Sequence, residues 1–183
     1  MRRLTIISII LTFVIFILEF NYSPPILFNL FIEIVNIFLA WYLISILQFV
    51  GENIVIQTPF SIFLGLQSVI LTSLIFSIGL DLTPSYPILE MIVVVYMVLM
   101  VFKVKNAQFS SAYKTYSIML LAIIILKVII LFEFKSSIFS GSQSYVKYGD
   151  LLSVLPLYAI LNIINKARKV LQSEPTTNDQ VVS

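Results

Sequence analysis

Apolar residues occur along this chain in six long runs, which short polar segments separate. The runs cover about residues 4–20, 26–50, 54–80, 88–102, 111–134 and 151–164. Since a transmembrane α-helix needs about 20 predominantly apolar residues, the pattern predicts an all-α integral membrane protein, a polytopic bundle of six transmembrane helices within residues 1–171. The run at 88–102 is short, so we expect its helix to extend into the flanking residues or the bilayer to thin around it.

The polar segments predict where the spans end. Residues 1–3 are basic and precede an apolar run, as in a signal peptide, but no small-residue cleavage pattern follows, so we expect a retained first helix. The pair Pro24-Pro25 then interrupts it. Later segments predict a turn at 81–87, a polar loop at 135–150, a basic segment at 165–169 that closes the last span, and a disordered polar tail at 172–183.

Composition supports a membrane protein over a soluble one. Hydrophobic residues make up 60% and charged residues 11% of the 183 residues, and the mean hydropathy is +1.05, whereas soluble domains are about 25% charged. The net charge of +2 and the lack of a Lys/Arg-rich block exclude a nucleic-acid partner. The expected partners are membrane lipids and other integral membrane subunits.

The basic residues predict the orientation of the spans. With six spans, eight Lys and Arg residues fall on the side that holds both termini and two fall on the other side. The eight are Arg2, Arg3, Lys103, Lys105, Lys114, Lys166, Arg168 and Lys169, and the two are Lys135 and Lys147. Because cytoplasmic loops carry an excess of Lys and Arg, we expect a multi-pass protein of the cell membrane with both termini cytoplasmic. With five spans, the Lys and Arg residues would no longer be concentrated on one side of the membrane.

The chain lacks the residue types that usually bind redox cofactors and metals. It has no Cys and no His, so the usual ligands of iron-sulfur clusters, haem, copper and zinc are missing, and no cofactor is expected to be bound by this chain alone. Trp41 and Tyr42 lie deep in the second run, which leaves a lipid or quinone contact open. Other tyrosines suit an aromatic belt at the membrane interfaces: Tyr22, Tyr86, Tyr113, Tyr116, Tyr145 and Tyr148.

Glu90 and Lys127 are charged residues within the predicted fourth and fifth spans. An antiparallel hairpin of the fourth and fifth runs that sets Lys103 level with Lys114 also sets Glu90 level with Lys127. Charges within a membrane are costly and are functional candidates by default. The pair could serve a proton or ion relay or act as counter-charges for a substrate. Alternatively it fixes helix register, or each residue reaches the nearby interface by itself.

A polar stripe on the second run supplies further candidates. At 100° per residue, Asn29, Glu33, Asn36, Ala40 and Gln48 share one face of the helix. In a packed bundle this face would bring Asn29, Glu33 and Asn36 to Glu90 and Lys127 in the external third of the membrane. We therefore predict an intramembrane polar or ion-pair site there. The alternative is that these side chains only hydrogen-bond helices or subunits together.

The third run carries small residues on one face: Ser61, Gly65, Ser68, Thr72 and Gly79. Small residues allow helix backbones to approach closely within a membrane. The stripe predicts a helix-packing face, and the partner is either a helix of this chain or another subunit.

Three functions fit these observations. The first is a non-catalytic accessory or structural subunit of a larger membrane complex, such as a respiratory or energy-converting one. The alternative is a component of a small-solute or ion transporter or channel, and a further alternative is a membrane sensor subunit. The sequence contains no phosphate-binding Gly-rich loop, nucleophile-elbow motif or zinc-protease motif, so we expect the chain not to be an enzyme.

Overall fold

The computed structural model describes residues 1–19, 26–76, 85–136, 152 and 154–173, and these residues form helices without strands. The six helices are α1 (Arg2–Glu19), α2 (Ile26–Phe49), α3 (Ile54–Ile75), α4 (Ser85–Val101), α5 (Ala107–Ser136) and α6 (Val154–Ser173). The all-α prediction is confirmed. Within the described ranges, three segments are long and apolar enough to cross a membrane, Leu30–Phe49, Ile54–Ser73 and Ala107–Ile129, and Ile88–Val101 is a shorter apolar segment.

Several helices extend beyond the apolar runs that predicted them. Residues 85–87, assigned to a turn, form the start of α4, where Pro87 is tolerated because the first N–H groups of a helix have no intrahelical partner. Helix α6 continues through the basic segment at 165–169 as far as Ser173, since Lys, Ala and Arg favour helix. Residues 135–136 of the predicted loop end α5, and residues 172–173 of the predicted tail end α6, because both helices continue past their apolar runs. The predicted Pro24-Pro25 break and the remainder of the predicted loop and tail lie outside the described residues.

Asparagine side chains begin two of the helices. The Oδ1 atom of Asn53 accepts a hydrogen bond from the Val55 N–H at 3.0 Å, and Asn106 Oδ1 accepts one from the Gln108 N–H at 3.0 Å. Each cap satisfies a backbone donor that the first turn of the helix leaves without a partner. The start of α5 is therefore set at residue 107, before the run that predicted it from 111.

The helices form a ring. Each contacts the next in the chain, and α6 closes the ring against α1 while also contacting α2. The loop at 50–53 joins α2 to α3, the loop at 102–106 joins α4 to α5, and the Glu52 carboxylate accepts a hydrogen bond from the Asn106 N–H at 2.8 Å. This contact places both loops at one end of the bundle, which we call the loop end.

Tyrosines of α5 contribute to a tightly packed core next to the loop end. Tyr113 is fully buried and Tyr116 is 4% exposed. The Phe60 ring meets the Tyr113 ring edge-on at a centroid distance of 5.6 Å, and the Tyr113 hydroxyl donates to the Leu43 carbonyl at 2.7 Å. The aromatic-belt prediction is therefore wrong for these two residues, because they face the interior of the ring. The side chains of the other four tyrosines in that prediction are not among those described.

The outer surface of the ring is rich in exposed apolar side chains. Each helix contributes at least one: Ile10, Phe38, Val69, Ile92, Ile125 and Leu155 are all at least 41% exposed. Monomeric soluble proteins rarely expose continuous apolar patches larger than a few hundred Å². This surface, together with the three long apolar helices, indicates association with a membrane.

Small residues occur on one outward face and one buried face. On α3, Ser61, Gly65 and Thr72 are exposed, and a Cβ atom added at Gly65 would meet nothing within 4 Å. No described helix of this chain packs against that face, and Gly79 lies outside the described residues. The buried small face is on α1, where Thr5 and Ser8 are fully buried and Thr12 is 6% exposed; the sequence reasoning missed it.

Candidate functional site

A cavity of about 130 Å³ lies inside the ring, and all six helices line it. Its polar lining consists of Thr12, Glu33, Asn36, Gln67, Glu90, Tyr116 and Lys127. Glu33 and Glu90 lie in the first halves of α2 and α4, whereas Gln67 and Lys127 lie in the second halves of α3 and α5. Because consecutive helices alternate in direction, these positions lie at one level of the bundle, away from the loop end. We call the cavity that these residues line the polar cavity.

Helix α2 supplies Glu33, Asn36 and Ala40 to the polar cavity, spaced so that they share one helix face. One carboxylate oxygen of Glu33, Oε2, is buried and accepts no hydrogen bond from the described part of the chain. The other members of the stripe are not at the cavity: Gln48 is exposed near the loop end, and the Asn29 side chain is outside the described set. Glu33 therefore presents an unpartnered acceptor inside the bundle.

The carboxylate of Glu90 has a partner on the neighbouring helix. Its Oε1 atom accepts a hydrogen bond from Gln67 Nε2 at 3.0 Å, which links α3 to α4. Gln67 was not predicted as a site residue. The position of Gln67 within an apolar run was a signal that it faces the interior, since an amide in the middle of such a span cannot face lipid without losing its hydrogen bonds. The bond positions Glu90 at the cavity wall.

Lys127 lies at the cavity but does not pair directly with Glu90. It lines the same cavity as Glu33 and Glu90, yet among the described side chains no Lys–Glu nitrogen and oxygen come within the 4.0 Å of an ion pair. The Lys127 side chain is exposed. The structure thus brings four of the five predicted polar residues to one cavity, without a direct salt bridge between Glu90 and Lys127.

The polar groups of the cavity suit a small cation. Two carboxylates face one ammonium there, so full ionisation leaves an excess of negative charge, and such a charge is costly inside a membrane unless it is paired. The remaining polar atoms include the Asn36 and Gln67 amides and the Thr12 and Tyr116 hydroxyls, all able to supply oxygen. No group of three or more acidic, His or Cys side chains that could hold a metal ion occurs in the described ranges.

Comparisons with known protein families, with characterised proteins and with solved structures find no match for this chain. The chemistry of the polar cavity is therefore the basis for assigning a function.

Proposed function

We propose that this chain is a multi-pass protein of the cell membrane, with six transmembrane helices and cytoplasmic termini, that binds a small monovalent cation or a proton in the polar cavity as a component of a transporter or channel. Within the membrane, α1, α4 and α6 form one ring together with the three long apolar helices α2, α3 and α5. The loop end is cytoplasmic. Its cations support this orientation, since Lys103 and Lys105 lie in its loop and Lys114 Nζ lies 5.0 Å from the Phe102 ring centroid.

The observation that carries the proposal is the buried, unpartnered Oε2 atom of Glu33 beside a second carboxylate. A buried acceptor without a hydrogen bond costs about 1–3 kcal/mol, and more when it is charged. A bound cation or proton removes that cost. Glu33 is accordingly the main ligand, and the Asn36 side-chain oxygen, about one helical turn away, is placed to contribute.

Glu90 and Lys127 have different roles in this proposal. The Gln67 amide holds Glu90 in place, so Glu90 provides a fixed second charge. Lys127 is a tethered cation at the same cavity. It balances one of the two carboxylate charges when the cavity is empty, and the bound cation balances the other.

Transient currents from reconstituted protein would test this function. The full chain would be placed in liposomes and adsorbed on a solid-supported membrane, and jumps of Na⁺, K⁺, methylammonium or pH would be applied in turn. We expect at least one probe to produce a saturable current whose half-saturating concentration Glu33→Gln raises.

The matched control is Glu52→Gln, because Glu52 is a buried glutamate at the loop end and glutamine retains the oxygen that accepts from the Asn106 N–H. This variant should keep the wild-type current. The proposal is wrong if none of the probes gives a saturable current, or if Glu33→Gln behaves like the wild type.

An accessory or structural subunit of a larger membrane complex is the second candidate, and the outward small-residue face of α3 favours it. The space above Gly65 is open, and Ser68 and Thr72 hydrogen-bond to carbonyls of their own helix, so a helix of another subunit could approach closely. Extraction in mild detergent, followed by a native gel and mass spectrometry, tests this candidate. Comigration with cofactor-bearing subunits would support it, and migration as a monomer or homo-oligomer would exclude it.

A further inference from the structure

A second cavity lies at the loop end, between the start of α5 and the C-terminal part of α6. It measures about 470 Å³ and is open to the surface. Its lining is Ala107, Gln108, Lys166, Lys169 and Val170. We call it the lysine pocket. It shares no residue with the polar cavity.

The positive charge of the lysine pocket comes from side chains of α6. Lys166 Nζ donates a hydrogen bond to the Gln108 carbonyl at 2.9 Å, which holds one ammonium at the pocket wall. Lys169 lies three residues further along the same helix and is exposed. Two lysine side chains of α6 therefore line one open space.

Among the described residues, no carboxylate cancels the positive charge of the lysine pocket. The backbone N–H groups at the start of α5 are also not available to a ligand. Glu52, at the same end of the bundle, is 7% exposed, and its carboxylate already accepts the Asn106 N–H. The Gln108 and Phe109 N–H groups at the start of α5 are bonded to Asn106. A ligand would therefore meet ammonium groups that no described carboxylate neutralises.

The position of the lysine pocket along the helices favours an anion that carries acyl chains over a soluble anion. Ala107 is both a wall residue and the first residue of the apolar segment Ala107–Ile129. In the membrane arrangement proposed above, on which this inference rests, the pocket therefore lies at the level of the lipid head groups. Val170 lines the pocket, and the adjacent Leu171 is 52% exposed. An anion that also carries acyl chains matches this combination of cations and exposed apolar surface.

We propose that the lysine pocket binds the phosphate group of an anionic phospholipid, with Lys166 and Lys169 as its ligands. Basic pockets between membrane helices on the cytoplasmic side bind phospholipid head groups in this way. The bound lipid bridges α5 and α6 and so stabilises their contact at the loop end.

The test measures the unfolding temperature of the full chain in a neutral detergent. Phosphatidylglycerol, phosphatidylcholine or inorganic phosphate is titrated against the wild type, Lys169→Gln and Arg168→Gln. Arg168 is the matched control, because it is an exposed cation next to Lys169 that does not line the pocket. We expect phosphatidylglycerol alone to raise the unfolding temperature, and Lys169→Gln to require about fivefold more of it, whereas Arg168→Gln behaves like the wild type.

Four results would overturn the proposal. Equal stabilisation by phosphatidylcholine would mean that the head-group charge is not recognised, and equal stabilisation by inorganic phosphate would mean a general anion site. An unchanged response of Lys169→Gln would place the lipid elsewhere. An equal loss in Arg168→Gln would mean that overall surface charge, rather than the pocket, attracts the lipid. Both variants change exposed residues, so their unfolding temperatures without lipid should match the wild type and show that they fold.

Discussion

The loop end and the polar cavity differ in how their polar side chains are satisfied. At the loop end, Glu52 accepts from the Asn106 N–H, and the Gln57 side chain donates to the Glu52 carbonyl at 2.7 Å. Next to it, the buried hydroxyl of Tyr113 donates to a carbonyl of α2. In the polar cavity, one oxygen of Glu33 is buried without a partner.

This difference indicates that the two regions have different roles. A buried polar group with a partner fixes its neighbours in place, whereas one without a partner lowers stability and is expected where a ligand supplies the missing contact. We therefore propose that the loop end anchors α2, α3 and α5 and that the polar cavity is the binding region of the bundle. Substitutions in the two regions should have opposite consequences for stability and function.

Replacing Glu33 by Gln should produce the largest effect. The loss of a charged ligand is expected to weaken binding of the active cation by roughly 10–100-fold, because hydrogen bonds to charged groups contribute about 1.5–3 kcal/mol. The unfolding temperature should stay the same or rise, since the buried Oε2 atom of Glu33 has no hydrogen bond to the described part of the chain. The half-saturating cation concentration of the transient current gives the first quantity, and thermal unfolding in detergent gives the second. A strong loss of stability would assign Glu33 to the fold instead of the site.

Replacing Glu52 by Ala should affect stability instead. The change leaves the Asn106 N–H without its acceptor, at a position where Glu52 is 7% exposed, and should lower the free energy of unfolding by about 1–3 kcal/mol. Glu52→Gln, which keeps an acceptor oxygen, should lose less. Thermal unfolding of the two variants provides the measurement. Equal losses in both would show that the charge, rather than the hydrogen bond, joins the two loops.

Tyr113→Phe should have a smaller effect in the same region. It removes the hydroxyl that donates to the Leu43 carbonyl and retains the ring that packs against Phe60, so we expect a loss of about 1 kcal/mol. Tyr158→Phe is the control, since Tyr158 is 66% exposed and should tolerate the change. If both variants unfold like the wild type, the hydroxyl does not contribute to the anchoring of α5.

Sequence reasoning located helices better than it located the faces they bury. Runs of apolar residues identify helices because hydrophobicity is a local property, and the six runs correspond to the six helices of the described chain. The polar stripe of α2 also led to the cavity, because Glu33 and Asn36 can avoid lipid by facing inward. Which neighbour each face meets depends on packing between distant segments. For that reason the partnership of Gln67 with Glu90 and the burial of Tyr113 were missed.

For the small-residue face of α3, too, the sequence does not show which helix packs against it. Gly65→Leu tests this face, and it should have the smallest effect on the fold. The space above Gly65 is open, so the larger side chain should meet no atom of this chain, and stability should stay the same or rise by up to about 1 kcal/mol because Leu favours helix over Gly. Val55→Leu is the control, since Val55 is an exposed residue of α3 that lies ten residues from Gly65 and about 80° away around the helix. A subunit that packs a partner helix over Gly65 should lose comigration with its complex in Gly65→Leu and retain it in Val55→Leu. Unfolding of Gly65→Leu would instead show that a helix of this chain covers the face within the membrane.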